Sequence, residues 1–175
     1  MRSERRLNMQ QTEPKIITTA LLLSEAERVS TKDIQSCKLY KNEENPQLTY
    51  LLEQILLSKC ELNLDYADMK EFAADCQDMA VYTIGSAEGR NAASLVAIRM
   101  MNLILYSETS AKSLLLHANI HPNYPLDELT NMLVLVNDRV EKNVYFGLHF
   151  MSDTEKIKRD PIELFMIVPG NQTII

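Results

Sequence analysis

The stretch Lys112-Ser113-Leu114-Leu115-Leu116-His117-Ala118-Asn119-Ile120-His121 decides the fold. Leu114, Leu116, Ala118 and Ile120 alternate with Ser113, Leu115, His117, Asn119 and His121, and a period of two belongs to a β-strand. The pattern predicts one face on the core and the other largely wet. Before it, residues 91 to about 106 read as a long helix with Leu95, Ile98, Met101 and Leu105 on one side and Val96, Met100 and Leu103 spreading the apolar surface around it. After it, Pro125 opens another helix, Asp127 and Glu128 suit its first turn, and Leu129, Met132, Leu133, Val136 and Val140 form its stripe.

Beyond that helix, Val144, Phe146, Leu148 and Phe150 alternate in one strand, and Ile162, Leu164, Met166 and Val168 in the next. The polar run from Ser152 to Asp160 predicts an antiparallel hairpin between them. Upstream, Met79 to Ile84 has strand propensity and is expected to end at Gly85, where Gly85 to Asn91 reads as a turn and helix entry. The order from Met79 is strand, helix, strand, helix, strand, strand. Such an order predicts an α+β fold, a two-layer sandwich with a mixed four-stranded sheet and both helices on one face.

Ahead of this unit, Leu48, Leu51, Leu52, Ile55 and Leu56 recur at helical spacing over 46–59, with Asn45 and Pro46 at the helix start. A loop around Asn63-Leu64-Asp65 leads into a shorter helix from about Tyr66 to Cys76. Residues 1–15 are polar and read as a loose arm. Ile16 to Val29 reads as a helix, with Ile16 to Leu23 equally compatible with a short strand, and 30–45 as linker. The expected organisation is an N-terminal arm over 1–45, a domain over 46–170 and a tail over 171–175.

The chain has 175 residues, 46% of them hydrophobic, which suits one core rather than two. Its formal charge of −6 and the lack of a Lys/Arg stripe argue against nucleic acid. Three cysteines, Cys37, Cys60 and Cys76, contain no close pair and suggest neither a disulfide framework nor a zinc knuckle. The apolar run Ile16 to Leu23 is too short for a membrane span, which needs about 20 residues. A cytoplasmic protein without a membrane partner is expected.

The succession Asn63-Leu64-Asp65-Tyr66-Ala67-Asp68, then Ile84-Gly85-Ser86-Ala87-Glu88-Gly89-Arg90-Asn91, then Val144-Tyr145-Phe146-Gly147 resembles the C-terminal half of FtsZ, the tubulin-like bacterial cell-division GTPase. The spacing Asn-x-Asp-x-x-Asp before a helix is similar to that family's synergy loop, and 46–59 resembles the end of its central helix. The resemblance implies that Asn63, Asp65 and Asp68 complete a GTPase site in trans. GTP and Mg would be held by an FtsZ- or tubulin-like partner subunit, not by this chain. Cys60 departs from the family, which usually has glycine three residues before the asparagine, and Thr83 stands where many members carry glycine. The four glycines, Gly85, Gly89, Gly147 and Gly170, make no glycine-rich nucleotide loop, so the resemblance implies half of a GTPase without its nucleotide domain.

Several residues admit two readings. Asp65 and Asp68, three apart, are an N-cap and a first-turn acid, or a pair that orients water for attack on a γ-phosphate. His117, His121 and His149 invite a metal reading, yet strand residues four apart are separated by about 13 Å, so histidines on a wet sheet face are the simpler account. Gly85 to Gly89 reads as a turn rather than a phosphate loop, and no metal or cofactor site is expected in the chain itself. Cys60 is a packed cysteine or a reactive thiol, and Met100-Met101 is core filling or a docking surface. The expected function is an interaction module that docks its loop on a GTP-binding partner, stimulating hydrolysis or capping a filament. The alternatives are a small ligand-binding or enzymatic domain using His117, Asn119 and His149, or a truncated or split FtsZ-like product.

Overall fold

The computed structural model describes residues 8–31, 45–57, 62–105 and 110–170. In chain order the elements are β1 (Asn8–Gln11), β2 (Lys15–Thr18), α1 (Thr19–Ser30), α2 (Pro46–Leu56), α3 (Tyr66–Asp75), β3 (Met79–Glu88), α4 (Ala92–Leu105), β4 (Ala111–Ile120), α5 (Leu126–Asn137), β5 (Val140–Phe150), α6 (Asp153–Lys158) and β6 (Ile162–Pro169). One sheet of six strands runs β1-β3-β6-β4-β5, with β2 also paired to β3. The class is α+β and the sheet is mixed, as the alternation predicts. Among the described residues the strand number is six rather than four because β1 and β2 come from the segment read as arm.

Both added strands lie antiparallel on one edge of β3, β1 on Gly85 to Glu88 and β2 on Met79 to Tyr82. They are interrupted at Thr12 to Pro14, where proline cannot supply a ladder N–H. Thr12 bridges the break, donating its N–H to the Ile84 carbonyl at 2.9 Å and accepting the Ile84 N–H on Oγ1 at 3.1 Å. Helix α1 follows with Leu22, Ala26 and Val29 fully buried.

Three further expectations are corrected. The strand expected to stop at Gly85 continues to Glu88, because Gly85 is paired on both sides, with Gln11 and with Leu164. Glycine is needed there for closeness: a Cβ would meet Met100 Sδ at 2.7 Å and Val96 Cγ2 at 2.8 Å, so its absence lets α4 lie against the sheet. The expected hairpin is not formed. β5 pairs in parallel with β4, while β6 inserts antiparallel between β3 and β4. The polar run instead folds into α6, started by a capping box between Ser152 and Glu155.

The last correction concerns β4, which has no wet face. Leu114, Leu116, Ala118 and Ile120 pack under α4 and α5 with Met100, Ile104, Met132, Leu164 and Met166. Leu115 packs on the opposite face with Leu22, Leu48, Leu51, Leu52, Phe72, Tyr82 and Phe165. Two helices therefore cover one face as expected, and α1, α2 and α3 cover the other. Covered on both faces, the central strands carry near-continuous apolar runs, and the remaining second-face residues, Ser113, His117 and Asn119, are buried polar groups that need partners.

Candidate functional site

The acidic loop follows α2, whose last turn closes with the Leu57 N–H on the Glu53 carbonyl. Cys60 lies outside the described residues. From Leu62 the chain joins the free edge of the sheet: the Leu62 N–H donates to the Leu148 carbonyl at 3.2 Å, and the Leu148 N–H donates back at 3.0 Å. Of residues 62–65 only Leu64 is buried, while Asn63 and Asp65 are exposed and Asp68 is partly exposed.

Asp65 and Asp68 are brought together at the start of α3 in a reciprocal capping box. Asp65 Oδ1 accepts the Asp68 N–H at 2.9 Å, and Asp68 Oδ2 accepts the Asp65 N–H at 2.9 Å. The two carboxylates thereby satisfy orphan donors of the first turn and lie at the positive end of the helix dipole. A carboxylate has two oxygens, so each retains one beyond the cap. The capping reading is present in the structure, and it fixes both side chains in place on an exposed surface.

Beneath the loop is a seat that sequence reasoning missed. An added Cβ on Gly147 would meet His117 Nδ1 at 2.6 Å and Leu64 Cδ1 and Cγ at 3.2 Å, so ring and leucine converge on the space this glycine leaves. His117 is fully buried and held through Asn119. Asn119 Nδ2 donates to Gln54 Oε1 at 2.9 Å and to Glu163 Oε1 at 3.3 Å, which turns its Oδ1 to His117 Nε2 at 2.9 Å. The proton therefore sits on Nε2, and Nδ1 is a buried acceptor without a hydrogen-bond donor among the described residues.

Burial pushes the His117 imidazole down to about 4, against the opposing effect of the Asn119 hydrogen bond. Tyr50 Oη donates to Glu163 Oε1 at 3.1 Å, and Arg159 reaches both Gln54 Oε1 and Glu163. Burial and the neighbouring Glu163 carboxylate raise the Tyr50 phenol to about 12. A continuous polar network thus runs from α2 through β4 and β6 to α6. The sequence singled out His117 and Asn119 as a wet-face site, Leu64 as part of the loop and Gly147 in the Val144 to Gly147 segment, but nothing in the spacing linked them to one another.

The histidines do not form a common site. His149 Nε2 lies 3.2 Å from Glu155 Oε2 and His121 Nε2 lies 3.2 Å from the Arg159 carbonyl. Among the described residues no group of three or more His, Cys, Asp or Glu converges as a metal site. The small-ligand reading required a wet face with His117 and Asn119, and both are fully buried. Gly85 to Ala87 offers no phosphate cradle because its backbone is committed to two neighbouring strands. Cys76 is buried, with its thiol raised to about 12 by desolvation and Asp75, and Met100 and Met101 are core residues.

No family model matches the sequence. The cell division protein FtsZ of Helicobacter pylori strain J99 is 26% identical over 126 residues, covering 69% of this chain and 32% of that protein. Over that span the chain is similar in sequence to FtsZ. An FtsZ dimer from M. jannaschii superposes with a TM-score of 0.58 at 18% identity, covering 84% of this chain and 43% of that one. A point mutant of M. jannaschii FtsZ gives 0.58 at 17%, over 84% and 44%. The fold is that of the FtsZ C-terminal domain. The FtsZ-like chain spans about a third of the length of the curated relative and less than half of the solved ones. Among the described residues no helix is long and apolar enough to cross a membrane.

Proposed function

We propose that this FtsZ-like domain is an interaction module with a cell-division or tubulin-like role, which docks its acidic loop on the nucleotide face of a GTP-binding subunit. The carrying observation is the pair Asp65 and Asp68, fixed by their capping box on an exposed helix N-terminus that is bonded to the edge of the sheet. The likeness to an FtsZ solved as a dimer supports docking between subunits of this kind. In the docked state GTP and Mg belong to the partner. Asn63, Asp65 and Asp68 supply the loop's polar groups, with the two carboxylates orienting and polarising a water for in-line attack on the γ-phosphate. The chain then contributes half of a site and turns over no GTP by itself.

The test mixes the protein with full-length FtsZ from the same source and follows GTP turnover and pelletable polymer. Raised turnover marks a loop competent in trans, and reduced polymer at unchanged turnover per subunit marks a filament cap. No change in either at excess protein sinks the proposal. Stimulation that persists in Asp68→Gln, whose side-chain oxygen still accepts the Asp65 N–H of the capping box but which lacks the charge, rejects the role given to that carboxylate.

A further inference from the structure

The geometry points to His117 as a positioning residue for the acidic loop: its ring, tethered over Gly147 by Asn119 and Gln54, is the platform on which Leu64 sets the placement of Asp65 and Asp68. The functional consequence of this placement rests on the docking reading above; the placement itself does not.

Two features distinguish a platform from ordinary packing. A ring of this size could fill the space as phenylalanine with no polar atom to satisfy, whereas the histidine leaves Nδ1 buried and without a partner among the described residues, an arrangement that costs stability. What the imidazole adds is its Nε2–H, which fixes the ring to Asn119 and through it to Gln54. Gln54 lies near the end of α2, the helix that leads into the loop. The loop is thereby referenced twice to the body. Leu62 is bonded to Leu148 along the sheet edge, and Leu64 and the ring converge on the position that a Gly147 Cβ would take, 3.2 Å and 2.6 Å from it. Without the second reference the stretch between the Leu62 bridge and Met69, whose buried side chain anchors α3, loses the seat of Leu64 and can shift between those two ends. With that reference, a shift at the end of α2 reaches the carboxylates through Gln54, Asn119 and His117, joined by hydrogen bonds, and then through Leu64, which shares the Gly147 gap with the ring.

The test uses four variants of the whole protein. Gly147→Ala places a methyl where the ring and Leu64 meet, Leu64→Ala removes the contact from the loop side, His117→Ala removes the platform, and His117→Phe keeps the ring but cuts its tether. Native-state amide exchange is followed at Asn63 to Met69 and, as an internal control, along β3 and β6. The expected result is exchange about tenfold faster at the loop in the first three variants, with unchanged β3 and β6, and a smaller increase in His117→Phe. Loop exchange at the wild-type rate in Gly147→Ala and Leu64→Ala overturns the platform, even where His117→Ala fails to fold.

The same variants are then titrated into full-length FtsZ. A positioning role lowers the stimulated turnover at saturation while leaving the half-saturating concentration within about twofold, because placement of the carboxylates rather than docking is changed. Wild-type stimulation in variants with a loosened loop rejects the positioning role. Failure of the unmodified protein to affect the partner rejects the docking reading alone, since exchange still decides whether His117 holds the loop.

Discussion

Asp65 and Asp68 each do two things, capping α3 and presenting charge, so alanine at either position perturbs both. Asp65→Ala is expected to cost about 1 kcal/mol through loss of the cap, read as a lower urea midpoint at unchanged slope. Asp65→Ser retains a good N-cap and should unfold within about 0.5 kcal/mol of wild type, yet lose the effect on a GTPase partner if the carboxylate is what acts. An Asp65→Ser variant as active as wild type would assign this residue to the cap. His117 gives a separate, pH-dependent signature. Its folded value of about 4 lies below the ordinary 6.5, so the unfolded chain takes the proton first as pH falls. Its stabilising effect is complete above pH 6.5 and is lost as pH drops through about 4, a total of about 3 kcal/mol. Asp75, whose carboxyl is held below its ordinary value by Ser113 and Lys142, gives up its contribution only at still lower pH. Urea unfolding at stepped pH should show a steeper decline for wild type than for His117→Phe between 6.5 and 4; parallel curves would remove histidine from the account.

The two short strands before helix α1 are the elements that sequence reading placed least well, whereas α1 itself, Thr19–Ser30, falls largely within the Ile16 to Val29 stretch read as a helix. Polar composition over residues 1–15 suggested a loose arm, because β1 gains its order mainly from the edge of β3; β2 also pairs with β3 and buries Ile17 in the second cluster. Their stability comes from a partner strand about 70 residues away, which no local pattern records. Leu22 is fully buried against the α2 and α3 cluster, so Leu22→Ala is expected to lower global stability by about 2–5 kcal/mol. A loss below about 0.5 kcal/mol in chemical denaturation would show that α1 detaches before the body unfolds. The elements with strong internal patterns were legible: α2 from its leucines and Pro46, α5 from its stripe, β4 and β6 from alternation; α4 was legible as a helix but not by its buried face, since Leu95, Ile98 and Leu103 are exposed while Ala93, Val96, Ala97 and Met100 are buried. Their pairing was not, since alternation in Val144 to Phe150 and Ile162 to Val168 is the same whether those strands form a hairpin or are separated by β4. The acid pair of the site was legible from its spacing. The seat beneath it was not, because His117, Gly147 and Leu64 meet only once β4 and β5 are in register and the loop is laid across their edge.

The whole molecule has two hydrophobic clusters, one under α4 and α5 and one under α1, α2 and α3, separated by the sheet and sharing its central strands. β6 makes the sharing concrete: Leu164 and Met166 belong to the first cluster, Phe165 and Ile167 to the second. A strand that alternates between two cores cannot leave one without disrupting the other, so the two faces should unfold together, as single domains of this size commonly do. Met100→Ala tests the first face and Phe72→Ala the second; both side chains are fully buried, and losses of about 2–5 kcal/mol are expected for each. Two probes report on the result: far-UV circular dichroism for the helices, and mass-mapped labelling of the buried Cys76 thiol, which sits in the second cluster. Both should move by the same denaturant increment in either variant, because the destabilisation is felt by one cooperative unit. If Met100→Ala shifts the dichroism midpoint and leaves Cys76 protected to the wild-type concentration, the sheet separates two folding units. The link from α2 through the sheet to the loop would then hold while the α4 and α5 face was already unfolded.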